Sequence, residues 1–108
     1  MLYITQGNTE QFRCGPIETA DREPVDLSAA TVKMIIKSSV DDTDEMAVFS
    51  QEIEHSESNI VLFSMSPTET RHIDVGHYIM GIKIVWDDGT EREILRDNVT
   101  VNKGVFHG

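Results

Sequence analysis

Between His77 and Thr90 every second residue is large and apolar. Tyr78, Met80, Ile82, Ile84 and Trp86 alternate with Gly81, Lys83 and Asp87. Period two puts such residues on one face of an extended strand. Asp87-Asp88-Gly89 follows, and glycine accepts positive φ without steric cost, so the sequence predicts a tight hairpin. Glu91 to Asn102 supplies the returning strand. A two-residue loop at Asp88-Gly89 sets Ile82 opposite Leu95 and Trp86 opposite Glu91. Leu95, Val99 and Val101 then share the inner face. Asp97 falls there too, opposite Met80, and a bulge near Asp97-Asn98 would relieve the conflict.

The same pattern recurs upstream. Leu2 to Thr5 reads as a short strand, broken by Gln6-Gly7-Asn8. Gln11 to Ile17 resumes with Phe12 and Cys14 on one face, and Pro16 marks an edge or an end because it cannot donate to a ladder. Glu18 to Pro24 is a polar turn, and Pro24 to Ala30 an extended approach. Val32, Met34 and Ile36 alternate with Lys33 and Lys37, with Ile35 interrupting the polar side. Ser38 to Glu45 is an acidic loop. Met46 to Ile53 has no clear period, leaving a helical turn open, and is read as a strand after its neighbours. Ile60 to Met65 is a nearly continuous apolar run, which suits a strand covered at least in part on both sides. Ser66-Pro67-Thr68-Glu69 is a capping box with proline at the first helical position, so one helical turn is expected before the main hairpin. The sum is an all-β chain: about seven short strands with one short helical turn, spaced as in a β-sandwich. Its expected core is Phe12, Val32, Met34, Ile36, Phe63, Tyr78, Met80, Ile82, Ile84, Trp86, Leu95, Val99 and Val101. One domain is expected over 1–102, with a flexible C-terminal tail over 103–108.

Charge narrows the partners. The 108 residues carry 19 acidic and 9 basic side chains, a formal −10. Such a field repels phosphate backbones and anionic membranes, so neither nucleic acid nor membrane is an expected partner, whereas a basic protein would be steered in. Cys14 is the sole cysteine, so an internal disulfide is excluded and the thiol is expected as a small buried apolar group. No apolar run approaches the ~20 residues of a membrane span, and the first residues lack a secretion signal, so folding in the cytoplasm is expected.

Candidate chemistry is sparse. His55, His72, His77 and His107 lack zinc spacing. The loop Asp41-Asp42-Thr43-Asp44-Glu45 offers oxygen ligands for calcium but lacks the glycine and the distant glutamate of an EF-hand loop, and a solvated charged loop is the plainer reading. No Gly-rich phosphate loop and no Gly-x-Ser-x-Gly elbow occur. No catalytic residue, cofactor or metal is assigned, and no enzyme activity is expected. The anomaly lies on the outward positions. Ile35, Ile60, Leu62, Ile79 and Val85 fall where a water-facing strand should be polar. Contiguous apolar residues there would mark a contact with another chain, unless long Lys and Glu stems cover them.

Five short motifs in order carry a resemblance. They are Thr5-Gln6-Gly7-Asn8, Pro24-Val25-Asp26-Leu27-Ser28-Ala29-Ala30-Thr31-Val32, Met65-Ser66-Pro67-Thr68-Glu69-Thr70, Val75-Gly76-His77-Tyr78 and Asp88-Gly89. Together they resemble the small immunoglobulin-like domains of tailed-phage virion proteins, and are similar to the N-terminal domain of phage baseplate upper protein. Asn8 stands where that group usually has Asp, Ala29 where it has Gly, and Gly81 where an acidic residue is common. The resemblance implies an immunoglobulin-like β-sandwich and a non-enzymatic structural role in the virion, made in the host cytoplasm, in the tail, baseplate or head–tail region. The expected partners are other virion proteins or copies of itself, oligomeric in the assembled particle. The alternatives are a capsid decoration protein and a carbohydrate- or receptor-binding module.

Overall fold

The computed structural model describes residues 1–105. Its elements in chain order are β1 (Leu2–Thr5), β2 (Glu10–Cys14), β3 (Ala30–Lys37), β4 (Phe49–Glu54), β5 (Val61–Met65), α1 (Pro67–Arg71), β6 (Gly76–Trp86) and β7 (Glu91–Asn102). The architecture is mostly β, with a curled five-stranded sheet ordered β1-β7-β6-β3-β4 and a two-stranded sheet of β2 and β5. All neighbours run antiparallel except β1 and β7, which pair in parallel from Leu2–Val99 to Thr5–Asn102. At the β4 edge the side chain of Gln51 bridges the sheets, its Oε1 accepting from the Ser64 amide at 2.9 Å.

Alternation builds the core. In β3 every even-numbered residue from Ala30 to Ile36 is buried. Met80, Ile82 and Ile84 of β6 pair with Ile36, Met34 and Val32 across the ladder, so both strands turn one apolar face inward. Phe12 and Phe63, a cross-strand pair of the small sheet, join them in a single cluster with Val99 and Val101. Ile4, Cys14, Leu27, Phe49, Val61, Met65 and Ile73 are buried in that cluster as well. Tyr78 and Trp86 are only partly buried and pack at its margin.

The main hairpin departs from the expected register in an instructive way. Its turn is three residues, Asp87 to Gly89: the Gly89 amide donates to the Trp86 carbonyl, the Trp86 amide donates to the Thr90 carbonyl, and Gly89 takes φ +92. Val85, not Trp86, therefore pairs with Glu91. The ladder then slips by one at Ile82/Lys83, where Ile94 is the extra residue, and Ile82–Leu95 and Met80–Asp97 pair beyond it. The bulge thus lies at Ile94-Leu95 rather than at Asp97-Asn98. Two residues now oppose one. Ile94 packs against the core, while Leu95 is left 38% exposed and is not a core residue. Asp97 takes the N-terminal ammonium as its partner at 3.4 Å.

Two local expectations also change. The Ile60–Met65 run is covered on one side only: Val61, Phe63 and Met65 are buried, and Leu62 is 58% exposed, because β5 belongs to a two-stranded sheet with nothing outside it. The Met46–Ile53 stretch divides into a single 3₁₀ turn at Asp44–Met46 and a strand from Phe49. Of the tail expected over 103–108, residues 106–108 lie outside the described residues. The helical turn is capped reciprocally: the Glu69 amide donates to Ser66 Oγ at 3.1 Å, and the Ser66 amide to Glu69 Oε1 at 2.8 Å.

Two substitutions test this packing. Phe63→Ala empties a fully buried site and is expected to cost about 3–5 kcal/mol. Gly15 holds φ +120, and a Cβ there would lie 2.6 Å from the Asn59 carbonyl oxygen, so Gly15→Ala is expected to cost more than the ~1 kcal/mol of left-handed strain alone. Urea unfolding with an unchanged slope would read both losses.

Candidate functional site

The outward side chains of the large sheet form ordered rows, because residues paired across a ladder point to the same face. One row is Glu52, Lys33, Lys83 and Glu93, from β4 to β7. The next is Ser50, Ile35, Gly81 and Arg96, and the one after holds Lys37, Ile79 and Asn98. All of these but Asn98 bound a groove of about 410 Å³, which Val40 and Asp44 from the β3–β4 loop also line. The same loop carries Met46 and Val48, both exposed.

Gly81 is the floor. It lies inside an eleven-residue strand with no left-handed backbone to require glycine. A Cβ there would meet only Ile35 Cγ2 and Glu93 Oε1, each at 3.8 Å, which is ordinary contact. Glycine weakens a strand interior and often marks close approach by another group. What the missing side chain provides here is depth.

Each cation around the floor has a carboxylate partner. Lys33 Nζ lies 3.1 Å from Glu52, Lys37 Nζ 2.7 Å from Asp44, Lys83 Nζ 2.7 Å from Glu91 and Arg96 Nε 3.1 Å from Glu93. Lys37 also donates to the Asp42 carbonyl at 2.9 Å, so one lysine pins the acidic loop to the sheet. Four cations and four carboxylates balance, and the whole formal −10 is carried by the rest of the chain. The hydrogen bond from Lys83 holds the Glu91 carboxyl below the usual range, and the same bond raises the Lys83 ammonium. The hydrogen bond from Lys37 lowers the Asp44 carboxyl in the same way.

The five outward apolar residues do not make one patch. Ile35 and Ile79 line the groove, and Val85 lies on the same face toward the hairpin turn, paired with Thr31. Leu62 lies on the outside of the other sheet, paired with Arg13, and Ile60 just precedes that strand. Sequence periodicity identified each as outward but could not tell which sheet each strand joins. It missed Gly81, Lys33, Lys37, Lys83 and Arg96 as neighbours, since only the pairing of β3, β6 and β7 brings them together. Their one signal is the alternation of Lys33, Ile35 and Lys37, which puts a lysine at each end of one outward stripe.

Elsewhere the described residues offer little chemistry. His55 Nε2 lies 3.4 Å from Asp87, His77 Nδ1 lies 3.2 Å from the Thr100 hydroxyl, and His72 is exposed. His107 lies outside the described residues. Among the described residues no group of three His, Cys, Asp or Glu side chains is placed to hold a metal ion. No helix there is long and apolar enough to cross a membrane. Burial raises the Cys14 thiol above its ordinary value. Thr70 is the one buried polar side chain among the described residues, and its hydroxyl is occupied, donating to the Asn8 carbonyl at 2.7 Å and accepting from the Gly7 amide at 3.0 Å. The groove is where charged and apolar side chains converge on one accessible surface. No family model, curated protein or solved structure matches this chain.

The Lys83–Glu91 pair makes a pH prediction. A depressed carboxyl stabilises the fold above its unfolded pKa and loses that contribution as pH falls through the folded value. A raised ammonium contributes below its unfolded pKa and loses that contribution as pH rises through the folded value. The pair should therefore act between the ordinary carboxylate and lysine ranges, and fade in acid and in strong base. In Lys83→Met the Glu91 carboxyl is expected to titrate higher, as read by NMR of its side-chain carbon.

Proposed function

We propose that this chain is a non-enzymatic assembly module of a tailed-phage virion, an immunoglobulin-like domain that docks through the outer face of its five-stranded sheet. The fold reading draws on strand order. With β2 and β5 taken as strands B and E, and β3, β4, β6 and β7 as C, C′, F and G, the order follows the variable-type sandwich. It draws also on a tyrosine at the start of β6, whose hydroxyl donates to the Asp74 carbonyl at 2.6 Å. Immunoglobulin-like domains carry such a tyrosine corner at the entry to strand F. Antibody domains follow that tyrosine two residues later with a disulfide cysteine. Here the position is Met80, so no cross-sheet disulfide exists, and packing together with the Gln51–Ser64 hydrogen bond joins the sheets.

The phage reading draws on where the resembling motifs lie. Thr5–Asn8 and Ser66–Thr70 are bonded to each other through Thr70. The Asp87 amide, at the edge of the Asp88-Gly89 turn, donates to the Ala29 carbonyl of the Pro24–Val32 motif at 2.9 Å. The motifs are joints of a scaffold, which is where domains of one architecture would agree. Tail or baseplate is the favoured location, following the resemblance.

Gly81 carries the docking assignment, since the strand would be firmer with a side chain there and the groove shallower. Gly81→Val is therefore the decisive variant. It suits a strand and has room for its Cβ. The expected result is an unchanged or higher melting temperature together with loss of the protein from purified particles, counted by mass spectrometry. Normal incorporation of a folded Gly81→Val chain would refute docking through this face.

A further inference from the structure

We propose that the groove takes an extended segment of a neighbouring protein chain, with a carboxylate seated between Lys33 and Lys83 and an apolar side chain two residues along seated over Gly81. This rests on the docking role argued above and names the chemistry of the partner.

The row of Glu52, Lys33, Lys83 and Glu93 runs acid, base, base, acid from β4 to β7. Lys33 and Lys83 are direct cross-strand neighbours, and like charges so placed are destabilising. The carboxylates that offset them sit to the outside: Glu52 bonds Lys33, and Glu91 bonds Lys83. The middle of the row is thus the most positive point of the groove. Each ammonium has three donors, of which Lys83 gives one to Glu91 while Lys33 is held in an ion pair with Glu52, and both side chains stay accessible, at 41% and 37%. An arriving carboxylate would bond both and relieve their opposition.

The adjacent row supplies the second half of the site. Ile35 and Gly81 are paired one pleat along the same strands, with Ile79 beyond. Successive rows on one face are two residues apart, about 6.6–6.8 Å, the repeat of any extended segment's own alternate side chains. A segment lying along the strands can therefore place an acid on one row and an apolar group on the next. A free inorganic anion would use only the lysines. A second copy is disfavoured because its charge of −10 lies outside this balanced groove, so two copies repel as they close.

The test titrates the full isotopically labelled chain with a capped peptide, Thr-Asp-Thr-Val-Thr-Leu-Thr. Its matched control replaces Asp with Lys. The proposal expects the Asp peptide to move the Gly81 and Lys83 resonances, and the control to bind at least about tenfold more weakly, one decade in Kd. The double variant Lys33→Met with Lys83→Met, which keeps the aliphatic stems, should remain folded and lose that preference. Equal binding of both peptides would overturn the proposal, as would no movement at Gly81. The same shifts from sodium acetate alone would assign a simple anion site instead, and the same shifts on concentrating the unliganded chain would assign a second copy. If Gly81→Val blocks incorporation while the Asp peptide fails to bind, docking stands and this partner chemistry falls. If Gly81→Val incorporates normally while the Asp peptide binds, the peptide preference stands and the docking role falls.

Discussion

The extra residue at Ile94 sets the register on which both faces of the large sheet depend. A slip of one residue in a strand moves every side chain to the opposite face. The three-residue turn at Asp87 to Gly89 displaces β7 by one relative to a two-residue loop, and the bulge displaces it back. Had the ladder continued unbroken from Lys83–Glu93, Val99 and Val101 would point to water. With the bulge they are buried, and β1, which pairs with exactly that stretch of β7, delivers Ile4 to the same core. The cost is borne at Leu95, pushed partly into solvent so that Ile94 can pack.

Fixing the inner face fixes the outer one. Met80, Ile82 and Ile84 can be buried only if Ile79, Gly81, Lys83 and Val85 look outward, and their partners on β3 follow. The groove is thus a by-product of the register that fills the core. Its ion pairs are individually weak because they are exposed, and their value is positional: they hold lysine and arginine stems beside the floor and cancel charge locally. In a chain this acidic, a neutral face is where another protein meets least long-range repulsion.

How much of this was legible depends on whether the signal was local. Alternation in β3 and β6 identified Val32, Met34, Ile36, Met80, Ile82 and Ile84 from spacing alone, and the capping box fixed α1 because all its atoms lie within four residues. The boundaries of β4 and the one-sided cover of β5 depended on which sheet each strand would join, which no local pattern encodes. The sequence places a bulge at Asp97-Asn98 to turn Asp97 away from Met80, but the structure keeps Asp97 opposite Met80 and puts the bulge at Ile94, where it offsets the three-residue turn. Its position answers to the turn, where a choice between two and three residues is settled by backbone hydrogen bonds rather than by hydrophobicity. Gly81 falls on the outward side of the alternation in β6 and acquires meaning only beside Ile35 and Arg96.

The joints and the groove divide the chain into two kinds of residue. Thr70, Asn8, Tyr78 and Ala29 bond turns to one another, so their chemistry is spent inside the fold. Lys33, Lys83 and Gly81 contribute little that the core needs: the lysines oppose each other, and the glycine weakens its own strand. Residues that cost stability without aiding the scaffold are where contact with something outside has to be sought. An acidic residue at position 81 makes the instructive comparison. An acid at that position would stand beside Glu93, fill the floor and meet Arg96 from within. Glycine there leaves Arg96 to Glu93 and leaves the space open, which ties the depth of the groove to this one residue.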